Sequence, residues 1–191
     1  MRLIDTHSHL FLEEFSEDLP QVIERARSAG VTHIFMPNID STTIDSMLSV
    51  CNTYNDYCFP MIGLHPTSVN ADYEKELEIV ARELRSFNKY IAIGEVGMDL
   101  YWDKTFLKEQ QIVLDKQINW ALEYDLPVVI HCRDAFGYIY NVLEPYKNTS
   151  LKGVFHSFTG TDDEAARILE FSGFLIGING VVTFKKSRLP E

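Results

Sequence analysis

Apolar runs of transmembrane length are missing from this 191-residue chain, and its opening, Met1-Arg2-Leu3-Ile4-Asp5-Thr6-His7, is too short and polar for the apolar region of a signal peptide. The expectation is a soluble, cytoplasmic protein with no membrane partner. Cysteine is scarce. Cys51, Cys58 and Cys132 form neither a zinc spacing nor an even-numbered disulfide framework, so they read as reduced thiols, most of them buried. Basic charge is also in short supply: 17 Lys and Arg against 28 Asp and Glu leave a net charge of -11, which opposes non-specific attraction to nucleic acid or anionic lipid. A phosphate-bearing substrate would need a local cationic site, and bound divalent metal would supply one. No Gly-rich dinucleotide fingerprint follows the first apolar run. No linker, solenoid-period repeat or low-complexity tract marks a second domain.

What the chain does have is 46% hydrophobic residues, enough for one substantial core, arranged as short β-rich runs alternating with longer stretches of helical period. Strands are expected at Leu3 to Ser8, Thr32 to Pro37, Phe59 to Gly63, Tyr90 to Gly94, Pro127 to His131, Gly153 to His156 and Phe174 to Gly177. The helices between them are expected at Asp18 to Ala29, Ser41 to Tyr54, Tyr73 to Phe87, Lys104 to Tyr124, Ala135 to Leu143 and Asp162 to Phe171. Such alternation, with near-continuous apolar strands, implies an α/β fold with a parallel sheet covered by helices. An eight-stranded barrel and an open doubly wound sheet both satisfy it. An open sheet draws its site from a few strands at one crevice, whereas here the chemistry-bearing residues end four or more different runs, which favours the TIM (β/α)8-type barrel. Only seven strands can be counted. The expectation is therefore a single barrel domain over residues 1–191, cut short after the seventh strand and lacking the last helix and the eighth strand. An unpaired barrel edge would invite self-association.

His7, His9, Glu95, His131 and His156 all lie at or just beyond the ends of these runs. In a parallel barrel the strand C-termini open onto one face, so residues distant in sequence converge there. His7 and His9 are two apart and share a strand face, and Asp5 has the same parity and could orient a ligand by hydrogen bonding. Glu95 sits between Gly94 and Val96-Gly97 at the end of an apolar run, where a buried carboxylate is costly unless paired or metal-bound. Each histidine alone reads as an ordinary core or surface residue. Together the five suit two divalent ions with a carboxylate bridging them, and hydrolysis by metal-bound hydroxide as the reaction class. His65 and Arg133 belong to the same rim as candidate substrate contacts, Arg133 through bidentate pairing with a phosphate or carboxylate. His33 opens its strand and lies on the opposite rim. Tyr101 and Trp102, in the loop after Glu95, read as packing against the next helix.

Five segments in order, Leu3-Ile4-Asp5-Thr6-His7-Ser8-His9-Leu10, Gly63-Leu64-His65-Pro66, Ile93-Gly94-Glu95-Val96-Gly97-Met98-Asp99, Pro127 to Ala135 and His156-Ser157-Phe158-Thr159-Gly160, closely resemble the TatD family of metal-dependent deoxyribonucleases within the amidohydrolase-like superfamily. The resemblance implies a TIM barrel with two divalent ions (Zn, Mn, Mg or Ni). His7 and His9 would hold the first ion, His131 and His156 the second, with Glu95 shared, and His65 and Arg133 would lie near the substrate phosphate. The implied activity is hydrolysis of DNA phosphodiester bonds, with DNA ends or single-stranded DNA as substrate. The sequence departs from the family pattern at Phe11, where an acidic or amide residue is usual, and at Gly137, where an acidic residue is usual. The final signature, Glu-Thr-Asp-x-Pro, does not occur before Glu191. Its aspartate would be a ligand of the first ion and the general base, so no residue of this chain is assigned that role. A two-metal deacylase or other amidohydrolase-like enzyme, and an inactive metal-binding barrel, are the alternatives.

Overall fold

The computed structural model describes residues 2–86 and 89–187. Among the described residues seven parallel strands alternate with six α-helices: β1 (Leu3–Asp5), α1 (Leu19–Ser28), β2 (Val31–Met36), α2 (Ile44–Thr53), β3 (Cys58–Pro60), α3 (Tyr73–Ser86), β4 (Ile93–Asp99), α4 (Leu107–Glu123), β5 (Val128–Arg133), α5 (Phe136–Leu143), β6 (Gly153–Phe155), α6 (Asp162–Leu169) and β7 (Phe174–Ile176). The strands pair in the order β1-β2-β3 and β4-β5-β6-β7. A parallel bridge between Ile62 and Ile93 joins the two groups. Sequential order with no reversal is that of a TIM-type barrel and excludes the doubly wound sheet. Among the described residues no pairing joins β7 to β1, and apolar side chains stand exposed at both edges, Ile4 on β1 and Leu175 on β7.

Strand parity sorts the apolar residues into two layers. Ile34, Met36, Val128 and Ile130 pack in the main core under the helices, while Phe35 and Val129 join Met61, Ala92 and Val154 on the other face of the sheet. His131 shares the parity of Val129 and therefore points to that inner face. Glu95 reaches it differently. Ile93 and Val96 both pack in the main core, three residues apart, because the β4–β5 register shifts between Gly94 and Val96. That irregularity frees Glu95 from simple alternation.

Several boundaries differ from the sequence-based expectation. β1 stops at Asp5, so His7 and His9 lie on the segment beyond it. β4 runs to Asp99 instead of ending at Gly94, and β5 to Arg133 instead of His131, because the two strands continue to pair as Met98 with Cys132 and Asp99 with Arg133. Periodicity alone cannot see such an extension, since it depends on the partner strand. The expected end of the third helix at Phe87 lies outside the described residues. Helix α1 does end as expected, with Gly30 at φ 90° just past its last turn. Cys51 and Cys58 are buried and Cys132 is half-buried. Among the described residues no helix is long and apolar enough to cross a membrane.

Candidate metal centre

At the C-terminal face of the sheet, five imidazoles gather around one carboxylate. Glu95 is only 3% exposed. Its Oε2 lies 3.1 Å from Nε2 of His7, 3.6 Å from Nε2 of His9 and 3.7 Å from Nε2 of His65, while Oε1 lies 3.0 Å from Nδ1 of His131. Two sets of ligand atoms each fall within 4.8 Å of one another: His7, His9 and Glu95, and His65, Glu95 and His131. His156 comes in from β6 and stacks on His7, ring centroids 3.4 Å apart and planes 13° from parallel. All five residues expected as ligands are thus neighbours, but the second group contains His65, expected near substrate, and His156 lies against the first.

The donor set fits divalent cations. The Nε2 atoms of His7 and His9 are 3.2 Å apart, a contact that accommodates one proton between them at most. Buried Nδ1 atoms on both rings have no hydrogen-bond partner among the described residues. Converging imidazoles with a carboxylate among them are a donor set that divalent transition-metal ions accept.

Charge in the cluster is organised by Glu95. Burial pushes its pKa up, but hydrogen bonds from His131, His7 and His9 together overcome that and hold the carboxyl well below its usual value. His131 lies between two carboxylates, Nδ1 facing Glu95 and Nε2 facing Asp99 at 2.9 Å. Burial opposes its charge, yet the hydrogen bonds and charges of Glu95 and Asp99 raise its pKa. His65 goes the other way. Burial lowers it to about 4, against the pull of Glu95. Its Nδ1 accepts from the Thr67 backbone N–H at 3.2 Å, so the ring proton sits on Nε2, facing Glu95. His156 is lowered to about 4 by burial and by the neighbouring His7.

These shifts set a pH dependence for the metal-free protein. The unfolded chain takes up protons on His65 and His156 near pH 6.5, whereas the folded chain resists until about 4. Folded pKa values below the unfolded ones, for bases, mean that stability is lost as pH falls through that window. His131 contributes in the opposite sense, stability that is present at low pH and lost as pH rises through its raised pKa. For the well-buried His65 the shift corresponds to on the order of 3 kcal/mol. Thermal melts in chelator should therefore fall from pH 6.5 to 4, with a shallower slope in His65→Gln.

Asp99 is the residue that sequence reading underrated. It is buried, accepts from the Tyr101 N–H with Oδ1 at 3.0 Å, and meets His131 with Oδ2. The signal was available: Glu95, Gly97 and Asp99 share parity on one strand, so a second carboxylate on the Glu95 face follows once β4 is read as extending that far. Asp5 takes a smaller role than expected, its Oδ1 accepting from the backbone N–H of His7 at 3.1 Å. Arg133 lies on the rim with its guanidinium 3.8 Å from the Tyr101 ring centroid. His33 bonds Thr32 and stacks on Phe59, away from the cluster. Tyr101 and Trp102 are not buried against the next helix. They are 53% and 72% exposed.

Helix α4 pins two site segments from behind. Gln117 accepts from the Leu64 N–H at 2.7 Å and donates to the Leu64 carbonyl at 3.3 Å. Gln110, two turns earlier on the same face, does the same for Asp99 at 2.9 and 3.2 Å. Gln117→Ala leaves two buried backbone groups next to His65 unpaired and should cost about 2–3 kcal/mol in urea unfolding, with Met in its place costing a similar amount. Asn38 acts alike at the end of β2: its N–H donates to the Gly94 carbonyl, its carbonyl accepts from the Glu95 N–H, and its side chain donates to the Gly63 carbonyl. Beside His156 a cavity of about 610 Å³ opens between α5 and α6, lined by Cys132, Asp134, Tyr138, Asn141 and Arg167 among others.

A family model described as TatD related DNase matches residues 4–191. The chain is 35% identical to the uncharacterized metal-dependent hydrolase YabD of Bacillus subtilis, over 99% of this chain and 73% of that one. It is 31% identical to the 3'-5' ssDNA/RNA exonuclease TatD of Pantoea ananatis, over 94% and 68%. Among solved structures, the TatD homologue YjjV of Escherichia coli superposes with a TM-score of 0.87 at 32% identity, covering 97% of this chain and 71% of that one.

Proposed function

The chain belongs to the TatD-related DNase family, and on that premise we propose that it is a metal-dependent hydrolase that cleaves phosphodiester bonds of DNA at single-stranded ends. The observation that carries this reading is the buried carboxylate of Glu95, which belongs to both candidate ligand groups, with Oε2 facing His7, His9 and His65 and Oε1 facing His131, so that it could be shared by two divalent ions. His7, His9 and Glu95 would hold one ion. Glu95 and His131 would hold the other, with His156 as its further ligand on the family pattern and His65 on the geometry. Bound there, divalent ions would polarise phosphoryl oxygens and activate water at neutral pH. An imidazole-rich set favours zinc, manganese or nickel over magnesium.

The residues of the chain do the rest of the positioning. Asp99 fixes the His131 ring, as carboxylates behind ligating histidines do. A net charge of -11 gives no general cationic surface, so recognition of a strand end rests on the ions and the rim. The substrate class comes from relatives named as single-strand exonucleases.

The test is nucleotide release from labelled single-stranded DNA by protein loaded with zinc, manganese or nickel, compared with chelated protein and with an N-acyl amide substrate. Metal-dependent release of mononucleotides is expected. Intact DNA with both sites metal-filled would overturn the nuclease reading, and amide turnover would replace it. Metal content of His65→Ala and His156→Ala separates their assignments: the true ligand's loss leaves about one ion per chain, and the other's leaves two.

A further inference from the structure

β4 and β5 run past the other strands of the sheet, and Arg133 at the end of β5 meets two aromatic residues in the loop just beyond β4, forming a cationic and aromatic cluster. The Arg133 guanidinium lies 3.8 Å from the Tyr101 ring centroid and 5.3 Å from that of Trp102. The two rings meet edge to face, centroids 4.8 Å apart and planes at 89°. Exposed at 72%, Trp102 leaves most of an indole in water, an arrangement that burial against α4 would have relieved. The loop is nevertheless held in place. Tyr101 donates its N–H to Asp99 Oδ1, and the other oxygen of Asp99 meets His131, so the aromatic pair stands one hydrogen-bonded carboxylate from the Glu95 cluster.

Resting on the phosphodiester reading above, we propose that Trp102 and Tyr101 form a stacking platform for an unpaired nucleobase of the strand whose phosphate lies at the Glu95 cluster. Arg133 braces the Tyr101 ring and adds the local positive charge that a strand backbone needs in a chain of net charge -11. Any base offers a π-face, so the platform selects for strandedness and not for sequence. A base inside a duplex has both faces covered and reaches an indole only by unstacking, which costs a few kcal/mol. A base at a single-stranded end has a free face. Stacking is worth about 1–3 kcal/mol per base, or roughly 5- to 150-fold in affinity.

Two measurements test this, one of them independent of turnover. Trp102 emission should be quenched on titrating the wild-type protein with a phosphorothioate oligothymidylate, which resists cleavage. Trp102→Phe keeps Trp120 as the remaining indole and should lose most of that quench, while covalently closed circular duplex DNA, which has no end, should quench little in either protein at the same nucleotide concentration. In the metal-loaded enzyme, Trp102→Ala should lower kcat/KM for single-stranded DNA relative to that for bis(p-nitrophenyl) phosphate by about 10-fold, mostly through KM, and Trp102→Phe should restore most of the loss. Quenching that persists in Trp102→Phe, or that the duplex matches, overturns the platform. So does an unchanged ratio between the two substrates. If the wild-type protein cleaves no nucleic acid yet Trp102 is quenched by the single strand, the hydrolytic reading fails and the platform stands.

Discussion

Glu95→Gln should abolish both proposed metal sites at once, reducing metal content from the two ions per chain proposed above to near zero and the proposed phosphodiester hydrolysis by about 10³-fold or more. No other side chain belongs to both candidate ligand groups. The amide keeps the size of the carboxylate but removes the charge that a bridging ligand must share between two cations, and it offers one acceptor oxygen where the structure directs two at separate imidazoles. The loss should also appear in stability. A ligand that binds only the folded state stabilises it by about 2.7 kcal/mol at a hundredfold excess over its Kd. Wild-type protein should therefore melt several degrees higher with zinc or manganese than in chelator, while Glu95→Gln melts at the same temperature in both. In metal-free protein the substitution has a further signature. With Glu95 gone, the carboxylate that chiefly raises His131 disappears, and NMR titration of that ring should move towards its ordinary value or below. Metal bound at full stoichiometry by Glu95→Gln would refute the bridging role.

Gly97→Ala should be the most destabilising single substitution near the site. A β-carbon on Gly97 would lie 2.0 Å from the His131 carbonyl oxygen and 2.9 Å from its carbonyl carbon, both backbone atoms that no rotamer change can move. The φ of 139° adds conformational strain for any L side chain. Gly97 pairs with His131 in the β4–β5 ladder, so relief requires the two strands to separate where Glu95, Asp99 and His131 meet. A cost of about 4 kcal/mol or more is expected, a large share of the 5–15 kcal/mol typical of a folded domain. Midpoints in urea should fall accordingly, and metal affinity should fall with them. Gly137→Ala is the control, because a β-carbon there meets nothing within 4 Å. Equal stability of Gly97→Ala and wild type would mean that the close β4–β5 approach is not maintained in solution.

The difference between these two glycines is invisible in sequence. Both follow apolar residues, and only the register of β4 against β5 makes one of them indispensable. The same limit applies to Asp99. Reading β4 as Tyr90 to Gly94 put the aspartate in a loop, because an apolar run that includes glycine and methionine gives no marker of where pairing stops. Some helix boundaries were easier, although α2 and α4 begin three residues later than expected, at Ile44 and Leu107. Gly30 after α1, and Thr161 with Glu164 opening α6 as a reciprocal capping box, are local devices whose chemistry acts within a few residues.

By itself the sequence determined the alternation of strands and helices, the parallel barrel-type order and the identity of the histidines and glutamate that gather at one face, because period, capping and strand-end position are local properties. Tertiary structure alone decided how those residues divide. It placed His65 in a ligand group and His156 on His7, drew Asp99 under His131, and left Trp102 in solvent above them. Each of those outcomes depends on register and on rotamers set by neighbours far away in the chain, such as Gln117 holding Leu64 from helix α4. Distances of 3 Å between residues tens of positions apart are properties of packing, and packing is where the chemistry of this site is set.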